Sequence, residues 1–195
     1  MKKSISLFVL LFSIYFVNAQ DFSGGVVLGN SFYGVANGGG EFSPKKNPTS
    51  FSFGLYGEYA FNNNIGIKTD FLFSQYKFFT NSNIPFEMGI VTIAPNFKYD
   101  FGENYREGFY MVAGPKITIV NSAKSNNDDV KDIFNTPMVG VQLGFGWRIF
   151  RFVDLQTKFE YDIDAFYEFK NGNKSSFFGG IISANIDIAR LISNK

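Results

Sequence analysis

A run of strictly alternating side chains near the end of the sequence constrains the fold most. In VDLQTKFEYDIDAF, residues 153–166, one parity carries Val, Leu, Thr, Phe, Tyr, Ile and Ala, and the other carries Asp, Gln, Lys, Glu, Asp and Asp. Successive side chains of a β-strand point to opposite faces, so the run predicts one long strand with an apolar face and a charged face. In a soluble sheet the apolar face is buried, whereas in a barrel that crosses a membrane it meets lipid. Alternation alone does not decide between these two cases.

Similar alternation recurs along the chain and predicts eight strands. They lie near residues 22–33, 50–61, 65–78, 87–101, 109–120, 138–150, 153–166 and 176–190. Most of these segments exceed ten residues, whereas a strand in a globular protein usually has about 5–6. A β-strand tilted across a bilayer needs about 9–11 residues. The segment lengths therefore favour a membrane barrel.

The connections between these segments alternate between long and short. Long ones span residues 34–49 and 121–137, and the shortest are 62–64 and 151–152. Outer-membrane barrels combine long extracellular loops with short periplasmic turns. A soluble meander has no reason to keep its long loops at one end.

Aromatic residues gather near both ends of the predicted strands. One group adjoins the short connections: Tyr59, Phe61, Tyr99, Phe101, Phe109, Trp147, Phe150 and Phe152. A second group lies toward the long connections: Phe32, Tyr33, Phe51, Phe78, Phe166, Tyr167, Phe177 and Phe178. Two aromatic bands are typical of membrane barrels, so we expect both groups to form outward-facing girdles. The 26 Phe residues also exceed the needs of one small soluble core.

The first 19 residues have the pattern of a secretory signal peptide. Lys2 and Lys3 precede an apolar stretch, and Ala19 ends a short cleavage-type sequence. Cleavage there leaves residues 20–195 as one outer-membrane β-barrel domain, with 16 basic against 17 acidic residues and a net charge of −1. A nearly neutral chain without a basic block gives no indication of nucleic-acid binding.

The sequence contains neither cysteine nor histidine. A disulfide scaffold is therefore excluded, and so are catalytic sites that rely on a histidine base beside a nucleophile. The acidic group Asp128, Asp129 and Asp132 lacks the ligand spacing and central glycine of a calcium loop, so we interpret it as a solvated loop. We expect no enzyme activity, no metal and no cofactor.

Two consecutive segments resemble the central strands of the PorT-like, or porin family, outer-membrane β-barrels. The features that carry the resemblance are Pro95 and Lys98-Tyr99 in IVTIAPNFKYDF, the turn GENYREG, and Gly114-Pro115 in FYMVAGPKITIV. The resemblance implies a small barrel of the OmpA and OmpX architecture in the outer membrane of a Gram-negative bacterium, and no single activity. Many such barrels end on an aromatic residue that the insertion machinery recognises, whereas this sequence ends ANIDIARLISNK.

The fold predicted from these features is all-β: a closed antiparallel up-and-down transmembrane β-barrel of about eight strands. The interior of such a barrel is just wide enough for its own side chains. We expect the polar face inside, where it places twelve charged residues: Glu58, Lys68, Asp70, Lys98, Asp100, Lys116, Arg148, Asp154, Lys158, Glu160, Asp162 and Asp164. Enclosed charges must pair, because an unpaired buried charge is costly. This predicts a salt-bridged, filled lumen.

The function expected from this architecture is that of a structural or interaction module. Its partners would be outer-membrane lipid, the barrel-insertion machinery, and an extracellular protein or polysaccharide bound by loops 34–49 and 121–137, since loops on a rigid scaffold can carry binding groups. A narrow passive channel for ions or small solutes is the first alternative. A soluble lipocalin-like carrier with an apolar cavity is the second.

Overall fold

A computed structural model of the chain describes residues 22–37, 42–44, 49–80 and 82–192. The predicted signal peptide at residues 1–19 lies outside the described residues. So do Gly38, Gly39 and Gly40 and the two lysines of the first long loop, Lys45 and Lys46.

The described chain is built almost entirely from β-strands. In chain order the strands are β1 (Phe22–Asn37), β2 (Phe42–Pro44), β3 (Thr49–Ala60), β4 (Ile65–Thr80), β5 (Pro85–Asp100), β6 (Phe109–Ser125), β7 (Asp128–Asp129), β8 (Met138–Phe150), β9 (Val153–Asp162), β10 (Tyr167–Glu168) and β11 (Lys174–Asp187). A 3₁₀ turn at Lys131–Ile133 follows β7, and a short helix α1 (Ile188–Ile192) follows β11. Within the described residues, no helix has the length and apolarity required to cross a bilayer.

Eight of these strands close into an antiparallel barrel. The order is β1-β3-β4-β5-β6-β8-β9-β11, and β11 pairs with β1 from Gly25 opposite Asp187 to Asn37 opposite Ser175. The predicted strand number and closed up-and-down topology are therefore confirmed. The short connections, at residues 61–64, 101–108 and 151–152, all lie at one end, which we call the short-turn end. The opposite end is the long-loop end.

Two predicted strands end earlier than expected, whereas β1 and β6 run on to Asn37 and Ser125, beyond their predicted ends at residues 33 and 120. The strand β9 stops at Asp162, after which the chain bends and Asp164 is exposed; its carboxylate accepts a hydrogen bond from the Val139 backbone N–H at 2.8 Å. Asp164 therefore does not belong to the inward set. The last strand ends at Asp187 rather than at residue 190, because the chain turns there into α1.

The apolar parity of each long strand faces outward. The exposed large apolar side chains of the barrel wall include Phe51, Phe53, Leu55, Phe71, Phe73, Phe97, Ile117, Val141, Leu143, Leu155, Phe159, Tyr161, Phe178 and Ile182. An outer wall of this kind has lipid as its natural solvent. On the inner face of β8, glycine makes room for large neighbours: a Cβ on Gly146 would lie 2.2 Å from the ring of Tyr110.

The two proline motifs meet in the barrel wall. Between β5 and β6 the register runs from Ile93 opposite Ile117 to Phe97 opposite Ala113, so Pro95 lies opposite Pro115. Neither proline has a backbone N–H to donate to the ladder. The backbones approach closely there, since a Cβ on Gly114 would lie 2.2 Å from the Pro95 carbonyl oxygen. Glycine at position 114 is therefore required by this contact.

Seven of the eight aromatic residues at the short-turn end are exposed as predicted, with Trp147 at 61% and Phe150 at 63%, and Tyr99 is half-buried. The second predicted girdle is wrong for five of its eight members. Phe32, Phe51 and Phe178 face outward, but Tyr33, Phe78, Phe166 and Phe177 are buried inside the barrel, and Tyr167 packs against them. Near the loops, aromatic side chains can fold back over the lumen, which strand alternation does not reveal.

Candidate functional site

The barrel interior has two layers of different chemistry. The half nearer the short turns holds charged and amide side chains, which we call the charge network. The half nearer the long loops holds an apolar cluster, which we call the aromatic plug: Tyr33, Phe42, Tyr76, Phe78, Met88, Ile90, Val120, Ala123, Phe134, Met138, Phe166 and Phe177. The first layer was predicted from strand alternation, and the second was not.

Lys98 anchors the part of the charge network closest to the short turns. Its Nζ lies 2.7 Å from Glu58 Oε1 and 3.0 Å from Asp100 Oδ2. Arg106 also reaches Glu58, with Nε 3.4 Å from Oε1, and its backbone N–H donates to Asp100 Oδ1 at 3.1 Å. Two acids and two cations therefore neutralise one another at this level.

Aromatic rings complete the surroundings of Lys98. Its Nζ lies 4.3 Å from the ring centroid of Tyr105 and 4.4 Å from that of Tyr110, within the range of cation–π attraction. Burial, followed by the charges of Glu58 and Asp100, raises the pKa of Tyr105 well above its ordinary value. Tyr105 therefore stays a neutral phenol beside the acids.

Asp70 is the centre of the middle level. Its carboxylate lies 2.9 Å from Lys158 Nζ and 3.4 Å from Lys68 Nζ. Lys68 also donates to Gln156 Oε1 at 3.0 Å, and Asn96 donates to Asp70 at 3.4 Å. Two lysines thus share one carboxylate, with side-chain amides accepting or donating the remaining hydrogen bonds.

Lys116 forms the level beneath the aromatic plug. Its Nζ lies 3.0 Å from both Glu160 Oε2 and Asp162 Oδ1. The Thr118 hydroxyl donates to the same Asp162 oxygen at 3.3 Å. Here one lysine pairs with two acids, and this extra negative charge balances the extra positive charge of the two lysines around Asp70.

Arg148 forms a further group at the short-turn end. It pairs with Asp154 through Nε and donates from Nη2 to Asp154 Oδ2 at 3.1 Å, while Nη1 lies 3.6 Å from Asp187 Oδ2. The Arg190 backbone N–H of α1 donates to Asp187 Oδ1 at 2.9 Å. The helix after the last strand is therefore tied to the interior of the barrel.

The charges of these four groups balance. Seven acids, Glu58, Asp70, Asp100, Asp154, Glu160, Asp162 and Asp187, meet seven cations, Lys68, Lys98, Arg106, Lys116, Arg148, Lys158 and Arg190. The side chains of Lys68, Lys98 and Asp100 are 0% exposed. These three side chains are therefore enclosed within the barrel.

Eleven of the twelve residues predicted to face inward lie in this network: Glu58, Lys68, Asp70, Lys98, Asp100, Lys116, Arg148, Asp154, Lys158, Glu160 and Asp162. Sequence reasoning missed Arg106 and Tyr105, which reach inward from the turn between β5 and β6, where alternation gives no signal. It also missed Asp187, although the parity of β11 places that residue beside Asn185 and Ser183 on the inner face.

The aromatic plug is filled partly from outside the barrel wall. Phe42 belongs to β2, and Phe134 and Phe166 belong to long-loop connections. Phe166 stacks on Phe177 with centroids 4.1 Å apart, and Phe42 packs edge-on against Phe78 at 5.4 Å. Three loop-borne rings therefore close the lumen at the long-loop end.

The long connection after β6 is partly ordered by strand pairing. The strand continues to Ser125, turns at Asn126 and Asn127, which have positive φ, and pairs back through Asp128 and Asp129. Asp129 and Asp132 are exposed, and the Asp129 carboxylate accepts from the Lys131 backbone N–H. Within the described part of the chain, no cluster of acidic residues is arranged to hold a metal ion.

Known structures share this fold. Ail, the attachment invasion locus protein of Yersinia pestis, aligns with a TM-score of 0.53 and 16% identity over 86% of this chain and 99% of Ail, in a structure with the heparin analogue sucrose octasulfate. A second Ail structure gives a TM-score of 0.52 with 15% identity, over the same shares of the two chains. Neisserial surface protein A aligns with a TM-score of 0.46 and 17% identity, over 86% of this chain and 96% of that one.

The sequence itself also identifies a family. A comparison with curated proteins finds no match. The family model described as outer membrane protein beta-barrel domain, in contrast, matches residues 18–166, which covers most of the chain. The exposed apolar wall and the closed eight-stranded topology are those expected of such a domain. The chain therefore belongs to the outer membrane protein beta-barrel domain family and is a small integral barrel of the bacterial outer membrane.

Proposed function

We propose that this barrel does not conduct solutes and acts as a structural or interaction module whose specific binding takes place on its extracellular connections. The observation that carries the proposal is the double closure of the lumen, by the charge network below and by the aromatic plug above. With the interior occupied, the connections at the long-loop end are the surface free to vary and to bind.

A narrow passive channel fits this interior less well. A conducting path needs hydrated side chains, whereas the acids and cations of the charge network are paired and largely excluded from water. In planar bilayers the purified protein should show no stable, porin-like conductance. Reproducible conductance whose ion selectivity changes on Arg148→Glu would favour the channel instead.

Within the outer-membrane barrels, a place among the PorT-like members is part of the proposal. Its support is the motif pair already described, with Pro95 and Pro115 opposite each other and Lys98-Tyr99 near the end of β5. We also propose that the chain has no catalytic activity, since its interior carboxylates are engaged in ion pairs and the sequence has no histidine.

The proposed partner is an extracellular protein or polysaccharide. The described extracellular connections present acids, Asp128, Asp129 and Asp132, and bases, Lys131 and Lys170. The exposed charges of such a surface can pair with opposite charges at the edge of the interface with a partner. Contacts of this kind affect specificity and association rate more than affinity. Recognition of the last strand by the insertion machinery is a further proposed contact, at the end of β11 before α1.

The experiment that tests this function separates the loops from the lumen. Protein in nanodiscs is assayed against immobilised extracellular matrix proteins and polysaccharides, sulfated ones included. We expect a combined Asp128→Asn, Asp129→Asn, Lys131→Gln and Asp132→Asn variant to associate with the partner at least tenfold more slowly, because it removes the surface charges and keeps Phe134 in the plug. A Glu160→Ala variant serves as the lumen control.

Folding of each variant is checked by comparing the gel migration of heated and unheated samples. If binding survives the loop substitutions and disappears in a folded Glu160→Ala barrel, the interior carries the function and the proposal is wrong. If binding survives both the loop substitutions and Glu160→Ala, the proposal that this loop binds the partner is also wrong.

A further inference from the structure

A groove lies on the outer wall of the barrel near the short-turn end, where it crosses β6, β8, β9 and β11. Its volume is about 410 Å³. The outward side chains that line it are Phe109, Phe145, Trp147, Leu155, Thr157 and Ile182. We call this feature the outer groove.

The outer groove exists because Thr157 is small. Thr157 lies opposite Phe145 on β8 and Ile182 on β11, and it is half-buried, whereas both partners are exposed. The neighbouring outward residues of its own strand, Leu155 and Phe159, are exposed as well. A small side chain among four large ones leaves a depression in the wall. Atoms of the surrounding lipid fill such a depression, because an empty apolar gap forfeits dispersion contacts.

Aromatic rings form the side of the groove on β6 and β8. Phe109 stacks on Phe145 with centroids 5.9 Å apart and lies opposite Trp147. Trp147 is the ring nearer the turn and is 61% exposed. Tryptophan is enriched where headgroups meet hydrocarbon. The end of the groove at Trp147 therefore lies at the level of the interface.

The other end of the groove lies within the hydrocarbon region. Thr157 is four residues after the first residue of β9, Val153. With a rise of about 3.3 Å per residue and a tilt of about 40°, it lies about 10 Å from the end of the strand along the barrel axis. The apolar band of such a barrel is about 25 Å tall, so that about 12 Å belongs to each leaflet. The groove thus extends along the acyl region of one leaflet.

The turn at the end of the groove differs in charge from the other short connections. The turn between β8 and β9 carries Arg151, which is exposed, while Asp154 of the same hairpin is buried in the lumen. The turn between β3 and β4 has no charged residue, and the turn between β5 and β6 exposes Glu103 and Glu107. Among these three connections, all of which the structure describes, the one beside the groove alone exposes a cation without an exposed acid.

We propose that the outer groove binds one anionic phospholipid, with an acyl chain between Phe145 and Ile182 and the phosphate paired with Arg151. Short turns of outer-membrane barrels face the periplasm, so the lipid belongs to the periplasmic leaflet. Arginine suits this role because its planar guanidinium presents parallel N–H donors to phosphate oxygens. A zwitterionic headgroup fits less well, since its amine offsets the charge that attracts the phosphate. The site lies at the opposite end of the barrel from the loop binding proposed above and is independent of it.

Trp147 reports directly on the groove, because it lines the groove and is the single tryptophan of the sequence. The protein is reconstituted in phosphatidylcholine vesicles that contain increasing fractions of either phosphatidylglycerol or phosphatidylcholine with brominated chains, which quench tryptophan fluorescence on contact. We expect phosphatidylglycerol to bind beside Trp147 about fivefold more strongly than phosphatidylcholine, as one arginine near an anionic surface predicts. The preference should decrease as salt screens the charges. Equal quenching by the two lipids overturns the proposal.

The headgroup contact is tested with Arg151→Gln, which should remove the preference for phosphatidylglycerol. The matched control is Lys174→Gln, because it changes the net charge equally but lies at the start of β11, at the long-loop end, where it is also exposed. An undiminished preference in Arg151→Gln, or an equal loss in both variants, would show that Arg151 does not hold the headgroup, and the proposal would be wrong.

The groove itself is tested with Thr157→Leu, which fills the depression and should bring the preference close to onefold, whereas Thr157→Ser keeps the groove open and should retain it. Thr69→Leu is the control for position. Thr69 faces outward on β4, is half-buried, and also lies four residues after the first residue of its strand. Gel migration of heated and unheated samples shows that each variant is folded. If the preference survives Thr157→Leu, charge alone attracts the lipid and the groove is not its site.

Discussion

At the level of single residues, Lys98 defines how the lower half of the barrel is held. Its ammonium lies between the carboxylates of Glu58 and Asp100 and over the rings of Tyr105 and Tyr110. A buried ion pair gains its stability only when its remaining hydrogen-bonding groups are also satisfied. Removal of Lys98 would leave these two buried carboxylates without their nearest cation.

We therefore expect Lys98→Ala to lower the free energy of unfolding by about 3–5 kcal/mol, since it leaves two buried acids with Arg106 as their remaining cation. The measurement is urea unfolding in lipid vesicles, followed by the fluorescence of the single tryptophan, Trp147. The control is Lys174→Ala, because the ion pair of Lys174 with Glu168 is exposed, and its loss should cost about 0–1 kcal/mol. Equal effects of the two substitutions would show that the interior charges are hydrated.

Most of the charge network was predictable from alternation, and the exceptions have physical reasons. Lys68, Lys158 and Asp162 lie on strands, where parity fixes the face. Arg106 lies in a turn with a φ of 66°, so its direction depends on tertiary contacts with Glu58 and Asp100. Asp164 follows the end of β9, and parity loses its meaning once the strand stops.

At the level of elements, β8 shows the difference between the inner and outer faces of the wall most clearly. Its inner parity carries Gly140, Gln142, Gly144 and Gly146, and its outer parity is apolar and exposed from Val139 to Ile149. The small inner residues allow Lys158 and Tyr110 to approach the backbone. This division was predicted from the sequence, because lipid outside and crowding inside select opposite residue types.

Substitutions on the outer face of β8 should depend on depth. Leu143 lies in the middle of the strand and is 44% exposed, so Leu143→Arg should destabilise the barrel by about 2–4 kcal/mol. Phe150 lies at the short-turn end, where the charge introduced by Phe150→Arg should lower the free energy of unfolding by only about 0–1 kcal/mol. Unfolding in vesicles measures both. The family assignment would lose its physical basis if Leu143→Arg were neutral and the folded protein were recovered in the periplasm without detergent.

At the level of the whole molecule, the lumen is closed twice in series by unlike chemistry. The charge network could be predicted because strands dictate its faces, whereas the aromatic plug could not, because three of its rings arrive from connections. Rings such as Phe78 and Phe177 lie on strands, but the sequence alone does not show whether an aromatic residue near a strand end faces lipid or turns over the lumen.

Closure in series makes a specific prediction about conductance. A combined Phe42→Ala, Phe134→Ala and Phe166→Ala variant empties much of the plug, yet it should remain non-conducting in planar bilayers because Lys68, Asp70 and Lys158 still fill the level below. The substitutions should appear instead as lower stability, since each buried Phe→Ala change costs about 3–5 kcal/mol where the site cannot collapse. Gel migration before and after heating establishes that the variant is folded, and Ile133→Ala, an exposed neighbour of Phe134, is the control. Steady conductance from the folded plug variant would mean that the charge network admits ions, and the barrel would then be a channel whose gate is the aromatic plug.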